Sequence, residues 1–540
     1  MEKADKKIYP ILKKIASEMG ADGTGFKVER PKDTVNGDLA SNIALVLAKK
    51  LDKNPLAIAE EIAESFSENR DFSKVVAAKP GFVNFYFSKE YLQNQVQNII
   101  AEGPGYGSLN IGRGASASVE FVSANPTGPL HIGNARGGPL GDTIANVLEK
   151  AGYKVVREYL HNDVGGQVER LGEAIFYELN PEAKSPTYEV QYQGEYIKEL
   201  AKAVEEELQD KFEDLSDEKF MEEAGNVAVG LMLEEIISDC RLMGISFDKV
   251  TKESELRRKV PAVLSKIKNS LKEYEGAVWF APNDEFLKDR ETVVKKSNGQ
   301  FTYFASDIAY HDEKMSQNNL VVDILGSNHS GHVPRILAAI KALGHSPQNF
   351  RCVLYQYVRL KRNEEVVKMS KRAGNFVTAR EVLDEVGKDA FRFFLLTPRT
   401  QTHMDFDLDL AKKRSSENPV FYVQYAYTRI ASIFAKASIS SSQFSKAQLD
   451  LLQTPEEMAL IRKLIVFPSL VEEVARNLEV NAFVNYSLEL ATLLHKFYES
   501  QQVISKNKKL TQARLALLKA TQITLKNTLD LLGVSALEKM

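Results

Sequence analysis

The stretch from Ala117 to Leu160 limits the possible folds more than any other part of the chain. Ala117, Val119 and Phe121 alternate with Ser118 and Glu120, the two-residue period of a strand with one apolar face. A turn rich in Gly and Pro follows, then a helical run from about Ile132 to Ala151, then a second apolar strand from Tyr153 to Leu160. Strand, turn, helix, strand is a βαβ unit, and its two strands are parallel because the helix carries the chain back over one sheet face. Further apolar strands are expected at Asn319 to Leu325 and Cys352 to Leu360, with a helical run between them. The predicted catalytic body is therefore an α/β doubly wound, Rossmann-type parallel sheet. In such a fold, ligands sit outside the carboxyl ends of the strands.

This body is expected to span residues 111–398, with a charged helical insertion near 179–239. Residues 1–110 read as a smaller α+β domain. They open on an amphipathic helix with Ile8, Ile11, Leu12 and Ile15 on one face and close on the strand Gly81 to Phe87. The glycine-rich Glu102 to Gly114 reads as a linker. Residues 399–540 repeat Leu, Ile and Val at three-to-four spacing with almost no strand signal, which predicts an all-α bundle.

A formal net charge of −3 excludes a uniformly basic nucleic-acid binder, so any RNA contact must use local basic patches. The two cysteines, Cys240 and Cys352, offer neither a disulfide framework nor zinc spacing, which fits a reducing cytoplasm. The charged N-terminus does not read as a signal peptide, and no apolar run is long enough for a membrane helix.

Two motifs carry chemistry. Asn125-Pro-Thr-Gly-Pro-Leu-His131-Ile-Gly133-Asn134 lies where a strand ends and a helix begins. Free N–H groups and the helix dipole there favour phosphate, and Gly133 allows a ring or phosphate to approach the backbone. On its own, an H-x-G reads more readily as an ordinary βα turn carrying a surface histidine. Val366-Val-Lys368-Met369-Ser370-Lys371-Arg-Ala-Gly-Asn375 places two ammonium groups on one loop, suited to a developing pyrophosphate charge, though it also reads as a solvated basic loop.

Taken together and in this order, these motifs resemble the HIGH and KMSKS elements of class I aminoacyl-tRNA synthetases. The wider sequence resembles the arginyl-tRNA synthetase family over nearly the whole chain. The resemblance rests on ANPTGPLHIGNARG, on Tyr159-Leu-His161-Asn162-Asp163-Val-Gly-Gly-Gln167, on Thr302-Tyr303-Phe-Ala-Ser-Asp307-Ile-Ala-Tyr-His311, and on Met404 to Asp409 followed by Glu417 to Tyr425. One departure stands out: the final histidine of HIGH is Asn134, which keeps a donor and an acceptor but carries no charge.

The resemblance implies an enzyme that activates arginine with ATP, as its Mg²⁺ complex, and passes it to a tRNA, with no permanently bound cofactor and no metal site of its own. His131, Asn134, Lys368 and Lys371 would act on the phosphates, with Gly133, Met369 and Ser370 completing the ATP site. Glu120, Asn125, Glu253, Tyr303, Asp307 and His329 would bind arginine. For Glu253 a solvated turn, for Tyr303 a packing role, and for Asn328 and His329 a structural role stay open. Tyr422, Tyr425 and Met540 would contact tRNA, with Phe421, Tyr427, Lys412 to Arg414 and Lys506 to Lys509 as further candidates. For each ring the bundle core remains open. The N-terminal block would touch the tRNA elbow. A cytoplasmic monomer without membrane contact is expected. Two rivals remain: a class I synthetase for another amino acid, and a silent tRNA-binding paralogue.

Overall fold

The computed structural model describes residues 4–31, 33–183, 190–209, 215–287, 291–367, 377–437, 444 and 447–540. The N-terminal block starts with α1 (Ala4–Glu18), β1 (Val28–Glu29) and β2 (Leu39–Ser41). It continues with α2 (Ile43–Leu51), α3 (Pro55–Glu64), β3 (Phe72–Ala78), β4 (Phe82–Phe87) and α4 (Lys89–Glu102). Its strands form an antiparallel sheet in the order β1-β2-β4-β3. In α1, Ile8, Leu12 and Ile15 are buried, whereas Ile11, at the edge of the stripe, is exposed.

The segment after α4 differs from the expected linker. Tyr106 is completely buried, its hydroxyl donates to the Leu464 carbonyl at 2.9 Å, and its own carbonyl accepts from Asn527 Nδ2 at 3.0 Å. At Gly107 (φ 85°), a Cβ would lie 2.4 Å from the Phe467 ring. The glycines here serve close packing against the C-terminal helices, and the segment is a seam.

The catalytic body follows as β5 (Ser116–Glu120), α5 (Ile132–Ala135), α6 (Gly137–Lys150) and β6 (Lys154–His161). A helical excursion of α7 (Gly166–Leu179), α8 (Glu195–Leu208) and α9 (Asp217–Leu242) precedes β7 (Lys249–Lys252) and α10 (Glu253–Lys266). The excursion thus begins ahead of the charged stretch that marked it in the sequence, because α7 packs on α9 in a separate apolar core. Next come a small antiparallel sheet of β8 (Leu271–Tyr274), β9 (Ala277–Phe280) and β10 (Thr292–Lys295), then α11 (Tyr303–Gln317), β11 (Leu320–Gly326), α12 (Val333–Ala342) and β12 (Phe350–Tyr355).

The central sheet is parallel throughout, in the order β12-β11-β5-β6-β7. The chain builds outward from β5 through β6 to β7, then returns to the other side of β5 for β11 and β12. The topological switch therefore lies between β5 and β11, where a crevice opens at the carboxyl ends.

The expected single strand from Cys352 to Leu360 is two strands, because Gln356 turns out of the sheet and donates its N–H to the Thr400 carbonyl. The second is β13 (Val358–Arg362), followed by β14 (Glu365–Val366), α13 (Ala379–Val386) and α14 (Lys388–Leu396). Against the all-helical reading from Arg399 onward, β15 (Met404–Asp407) pairs in parallel with β13, with α15 (Leu408–Lys412) after it.

The C-terminal bundle is α16 (Pro419–Ala437), α17 (Pro455–Leu464), α18 (Phe467–Asn477), α19 (Asn481–Ser500) and α20 (Lys508–Leu532). It docks on the catalytic body through buried Arg392. That side chain ion-pairs with Asp142 of α6 at 2.6 Å and donates to the carbonyls of Leu532 and Met243. No helix among the described residues is long and apolar enough to cross a membrane.

The α7–α9 pair depends on two glycines. A Cβ on Gly172 would sit 1.8 Å from the Met221 carbonyl oxygen, and one on Gly225 would sit 2.6 Å from that of Val168. Gly172→Ala must push the helices apart, at about 1 to 3 kcal/mol. Faster amide hydrogen exchange confined to residues 166–242 is the expected result.

Candidate active site at the sheet switch point

A cavity of about 470 Å³ occupies the crevice. Its walls come from the ends of β5 and β11, the loop to Asn125, the starts of α10 and α11, and Asn328 to His332. Asn125, Asn134, Ala124 and Gln167 also line an adjoining cavity of about 330 Å³ that His131 borders. Of the expected arginine ligands, Glu120, Asn125, Glu253, Tyr303, Asp307 and His329 all line the larger space.

Each is positioned by its element. Thr302 caps α11 by accepting from the Ala305 N–H, which puts Tyr303 at the first helical position and Asp307 one turn later on the same face. Tyr303 is exposed toward the cavity, and Asp307 accepts from His332 Nε2 at 2.8 Å. Glu253 opens α10. Its side chain is 3% exposed, and Arg257, one turn on, donates to it. Asp163 holds this helix start from the β6 side, accepting from the Ser254 N–H at 2.9 Å and from its hydroxyl at 2.6 Å. Burial pushes the Glu253 carboxyl up, Arg257 opposes that, and Asp307 and Asp163 add to it. Burial and neighbouring His332 push His329 down, which favours a neutral ring. Asn125 Oδ1 accepts from Asn162 at 2.6 Å. His161 lies behind the wall, 3% exposed.

Glu120 is less available than its place on the strand implies. Its Oε1 accepts from the Ser123 hydroxyl and its Oε2 from Lys314 Nζ at 2.7 Å. In the sheet register Glu120 stands between Asp323 and Glu158, a row of three acids across β11, β5 and β6. One face of α11 answers that row. Lys314, completely buried, also donates to Asp323 at 2.6 Å, His311 Nε2 contacts Asp323 at 2.8 Å, and the Tyr310 hydroxyl donates to Glu158 at 3.0 Å. Burial opposes ionisation of Asp323, but Lys314 and His311 hold its carboxyl down at about 2. Burial pushes Glu120 up against the pull of Lys314. None of Lys314, Asp323, His311, His332, Gln167 or Arg257 was among the candidate ligands. The signal was present as Tyr303, Asp307, Tyr310, His311 and Lys314 at helical spacing, an unusually polar stripe on a helix that the fold must bury.

At the histidine turn, the expected long helix is broken. The Arg136 side chain turns inward, fully buried, and donates to the carbonyls of Gln356, Pro398, Arg399 and Thr402. His131 is the N-cap of the one-turn α5 and accepts from the Asn134 N–H at 3.2 Å. A Cβ on Gly133 would meet the His131 ring at 3.1 Å, so the glycine makes room for this cap as well as for any ligand. Asn134 faces both cavities.

Lys368, Met369, Ser370 and Lys371 lie outside the described residues. Where the described chain resumes at Val377 it is held against the histidine turn: His131 bridges Thr378, Ile132 N–H donates to the Val377 carbonyl, and Ala379 N–H donates to that of Leu130. Among the described residues no group of three or more His, Cys, Asp or Glu is arranged to hold a metal ion.

In the bundle, Tyr422 and Tyr425 pack on His495, with centroids 4.8 and 5.9 Å apart, and Arg429 lies over Tyr498 at 4.0 Å. Tyr425, Arg429 and Tyr498 line a cavity of about 700 Å³. Tyr427 is buried in the core, and Met540 is exposed. Lys412 and Lys413 are paired with Glu385 and Glu417.

A parallel sheet whose switch-point crevice adjoins a histidine turn, in a chain that carries a Lys-Met-Ser-Lys segment further along, defines the class I aminoacyl-tRNA synthetases. Three family models tile the chain: "Arginyl tRNA synthetase N terminal domain" over residues 3–87, "tRNA synthetases class I (R), catalytic domain" over 95–400, and "DALR anticodon binding domain" over 423–540. The arginine–tRNA ligase of Dehalococcoides mccartyi (strain CBDB1) is 40% identical over 526 residues, covering 95% of this chain and 94% of that protein. That of Citrifermentans bemidjiense is 41% identical over 538 residues, covering 96% and 97%. The Thermus thermophilus arginyl-tRNA synthetase structure shares the fold with a TM-score of 0.80 at 22% identity, covering 99% of this chain and all of that one. The chain belongs to the arginyl-tRNA synthetase family.

The acid row gives a prediction. Lys314→Met leaves Asp323 and Glu120 side by side without their shared cation. Breaking a buried pair in this way costs about 3 to 5 kcal/mol. A clearly lowered thermal unfolding midpoint is expected by calorimetry.

Proposed function

We propose that the chain joins L-arginine to its tRNA in two steps at the switch-point crevice. In the first, the arginine carboxylate attacks the α-phosphate of ATP. A carboxyl oxygen–phosphorus bond forms, the bond to the leaving pyrophosphate breaks, and arginyl-adenylate results. In the second, the 2′-hydroxyl of the terminal adenosine attacks the arginyl carbonyl, loses its proton, and AMP departs.

The observation that carries this reading is the adjacency of an acidic slot, with Asp307, Tyr303 and Glu253 on its wall, to the cavity bordered by His131 and Asn134. Arginine is a planar, permanently charged fork of donors, and carboxylates are its natural partners. In the proposed pose the guanidinium lies between Asp307 and Glu253, with Tyr303 beside it and His329 at the mouth. Asn125 and Glu120 take the amino-acid end, with Glu120 acting through an oxygen already bonded to Ser123 or Lys314. His131, Gly133 and Asn134 take the nucleotide, Met369 and Ser370 complete its site, and Lys368 and Lys371 act on its phosphates. Mg²⁺ enters with ATP, held by phosphate and water. Positioning two reactants in line can supply about 7 to 11 kcal/mol of the barrier, so no covalent nucleophile is needed.

Tyr422, Tyr425 and Met540 are proposed to meet the anticodon, where aromatic faces stack unpaired bases for about 1 to 3 kcal/mol each. The N-terminal block is proposed to meet the tRNA elbow. The domain limits 1–110, 111–398 and 399–540, a monomeric state and a cytoplasmic location belong to the same proposal. So does a requirement for tRNA during activation, which full-rate ATP–pyrophosphate exchange without tRNA would contradict.

Charging unfractionated tRNA with each amino acid in turn tests the reading directly. Arginyl-tRNA is the expected product, with lysine rejected by about ten-thousandfold because its single ammonium leaves buried acceptors unpaired. A prominent lysyl product sinks the slot, and no product at all favours a silent tRNA binder. Asp307→Asn should raise the KM for arginine by about a hundredfold, equivalent to about 3 kcal/mol. Lys371→Ala should instead lower turnover by about a hundredfold with a smaller change in arginine KM.

A further inference from the structure

Arg257 takes no part in the functional reading above, yet its guanidinium is bonded to Glu253, which lines the proposed guanidinium site. Its Nε and Nη2 both donate to the same oxygen of Glu253, Oε1, at 3.0 and 2.9 Å. A guanidinium fork usually grips both oxygens of a carboxylate. Here it converges on one. The other, Oε2, is buried and receives no hydrogen bond from the described residues. Glu253 lines the cavity, and its side chain is only 3% exposed. A buried carboxylate oxygen without a donor is costly, and a ligand N–H reaching it would relieve that cost.

The surroundings fix Arg257 in this arrangement. Its guanidinium carbon lies 5.9 Å from the Tyr303 ring centroid. Gly165, at φ 101°, leaves the space it needs, since a Cβ there would be 2.9 Å from Nη2. The charged and titratable groups facing Glu253 are Arg257 on its own helix, Asp163 from the loop after β6, and Asp307 and Tyr303 from α11. Asp163 and Asp307 are like charges, and each is bonded elsewhere, to Ser254 and to His332. Arg257 is thus the cation that opposes both burial and two neighbouring acids.

We infer that Arg257 is a positioning and specificity-determining residue. It keeps Glu253 ionised and occupies one of its oxygens, so that the other is presented to the guanidinium of the substrate. This rests on the reading of the slot as the arginine site. The physical consequence has a definite sign. A carboxyl whose pKa is raised is ionised above that pKa and loses its charge as pH falls through it. Removing Arg257 raises the pKa further, so arginine binding should begin to fail at a higher pH. An arginine side chain placed only to staple the first turn of α10 would give no such pH dependence.

The experiment measures arginine KM and kcat in the charging reaction from mildly acidic to alkaline pH for the full chain and for Arg257→Gln, Arg257→Lys and Glu253→Gln. Arg257→Gln is expected to raise arginine KM by up to about tenfold at the acidic end of the range, the equivalent of one pKa unit. The defect should shrink as pH rises, with kcat and the KM for ATP within about twofold. Arg257→Lys, which restores the charge without the fork, should recover part of the loss and flatten the pH profile. Arginine KM in Arg257→Gln within about twofold of the unaltered chain at every pH, or a defect independent of pH, overturns the inference. Glu253→Gln separates the two levels of the argument. A raised arginine KM in Glu253→Gln with none in Arg257→Gln removes the role of Arg257 alone, whereas no change in Glu253→Gln removes the slot assignment on which it rests. Arginine-induced thermal stabilisation of each variant supplies the same comparison should turnover be too low to measure.

Discussion

The crevice depends on how one helix face neutralises a row of acids. Asp323, Glu120 and Glu158 stand in register on β11, β5 and β6, at the point where the sheet changes direction. Like charges on adjacent strands repel, and burial makes each more expensive. Tyr310, His311 and Lys314 of α11 supply the donors that make the row tolerable, and Lys314 joins the two strands flanking the switch. The same helix, a turn or two earlier, presents Tyr303 and Asp307 to the cavity. The proposed recognition residues are therefore fixed in rotation and height by ion pairs at the other end of their own helix. A slip of α11 by one residue would break the sheet contacts and the slot together.

A similar device recurs within the catalytic body, within the bundle and between the two: a buried guanidinium aimed at backbone carbonyls. Arg136, at the break between α5 and α6, holds the segment around Gln356 and Pro398 to Thr402. Arg392 ties α6 to the end of α9 and to the last turn of α20, where Gly533 leaves room for it. Arg514 does the same inside the bundle, pairing with Glu457 at 2.8 Å and donating to the Gln502 carbonyl. Arginine suits this task because its charge persists and its donors diverge within one plane. Through Asp142 and Arg392, the histidine-bearing helix region and the bundle share a single buried side chain. The proposed tRNA-binding block is thereby mechanically continuous with the proposed nucleotide site.

Much of this was legible in the sequence because periodicity reports which face is buried. The alternation at Ala117 to Phe121, the βαβ unit and the helical bundle all follow from it, and the polar groups at strand ends fall at the crevice mouth. What was not legible has a common cause: glycine and arginine have several uses that composition does not separate. Glu102 to Gly114 looks flexible, but Gly107 is there so that Phe467 can pack on the backbone. Arg136 sits in a motif associated with nucleotide chemistry, yet its side chain points the other way, into backbone carbonyls. Glu120 was readable as a polar residue on the right strand, but its engagement by Lys314 depends on a partner far along the chain. Short strands such as β15 are set by pairing with β13 rather than by their own four residues, so local pattern gave no warning of them.

The contrast between the two acidic clusters bears on the proposed preference of the slot for arginine over lysine. Under α11 the donors meet the acceptors: Glu158 has Ser118 and Tyr310, Asp323 has Lys314 and His311, and Glu120 has Lys314 and Ser123. In the slot the account is left open. Asp307 has His332 on one oxygen, and Glu253 has Arg257 on one oxygen only. Two separated acceptors, on α10 and α11, remain for a ligand, with an aromatic ring beside them. An ammonium is a single point and can satisfy one of these at full strength. A guanidinium is planar and wide, and its outward donors can reach both at once. Selectivity on this view comes from acceptors the fold has declined to satisfy, and the full compensation of the row beneath them is what allows such a deficit to be carried in a stable protein.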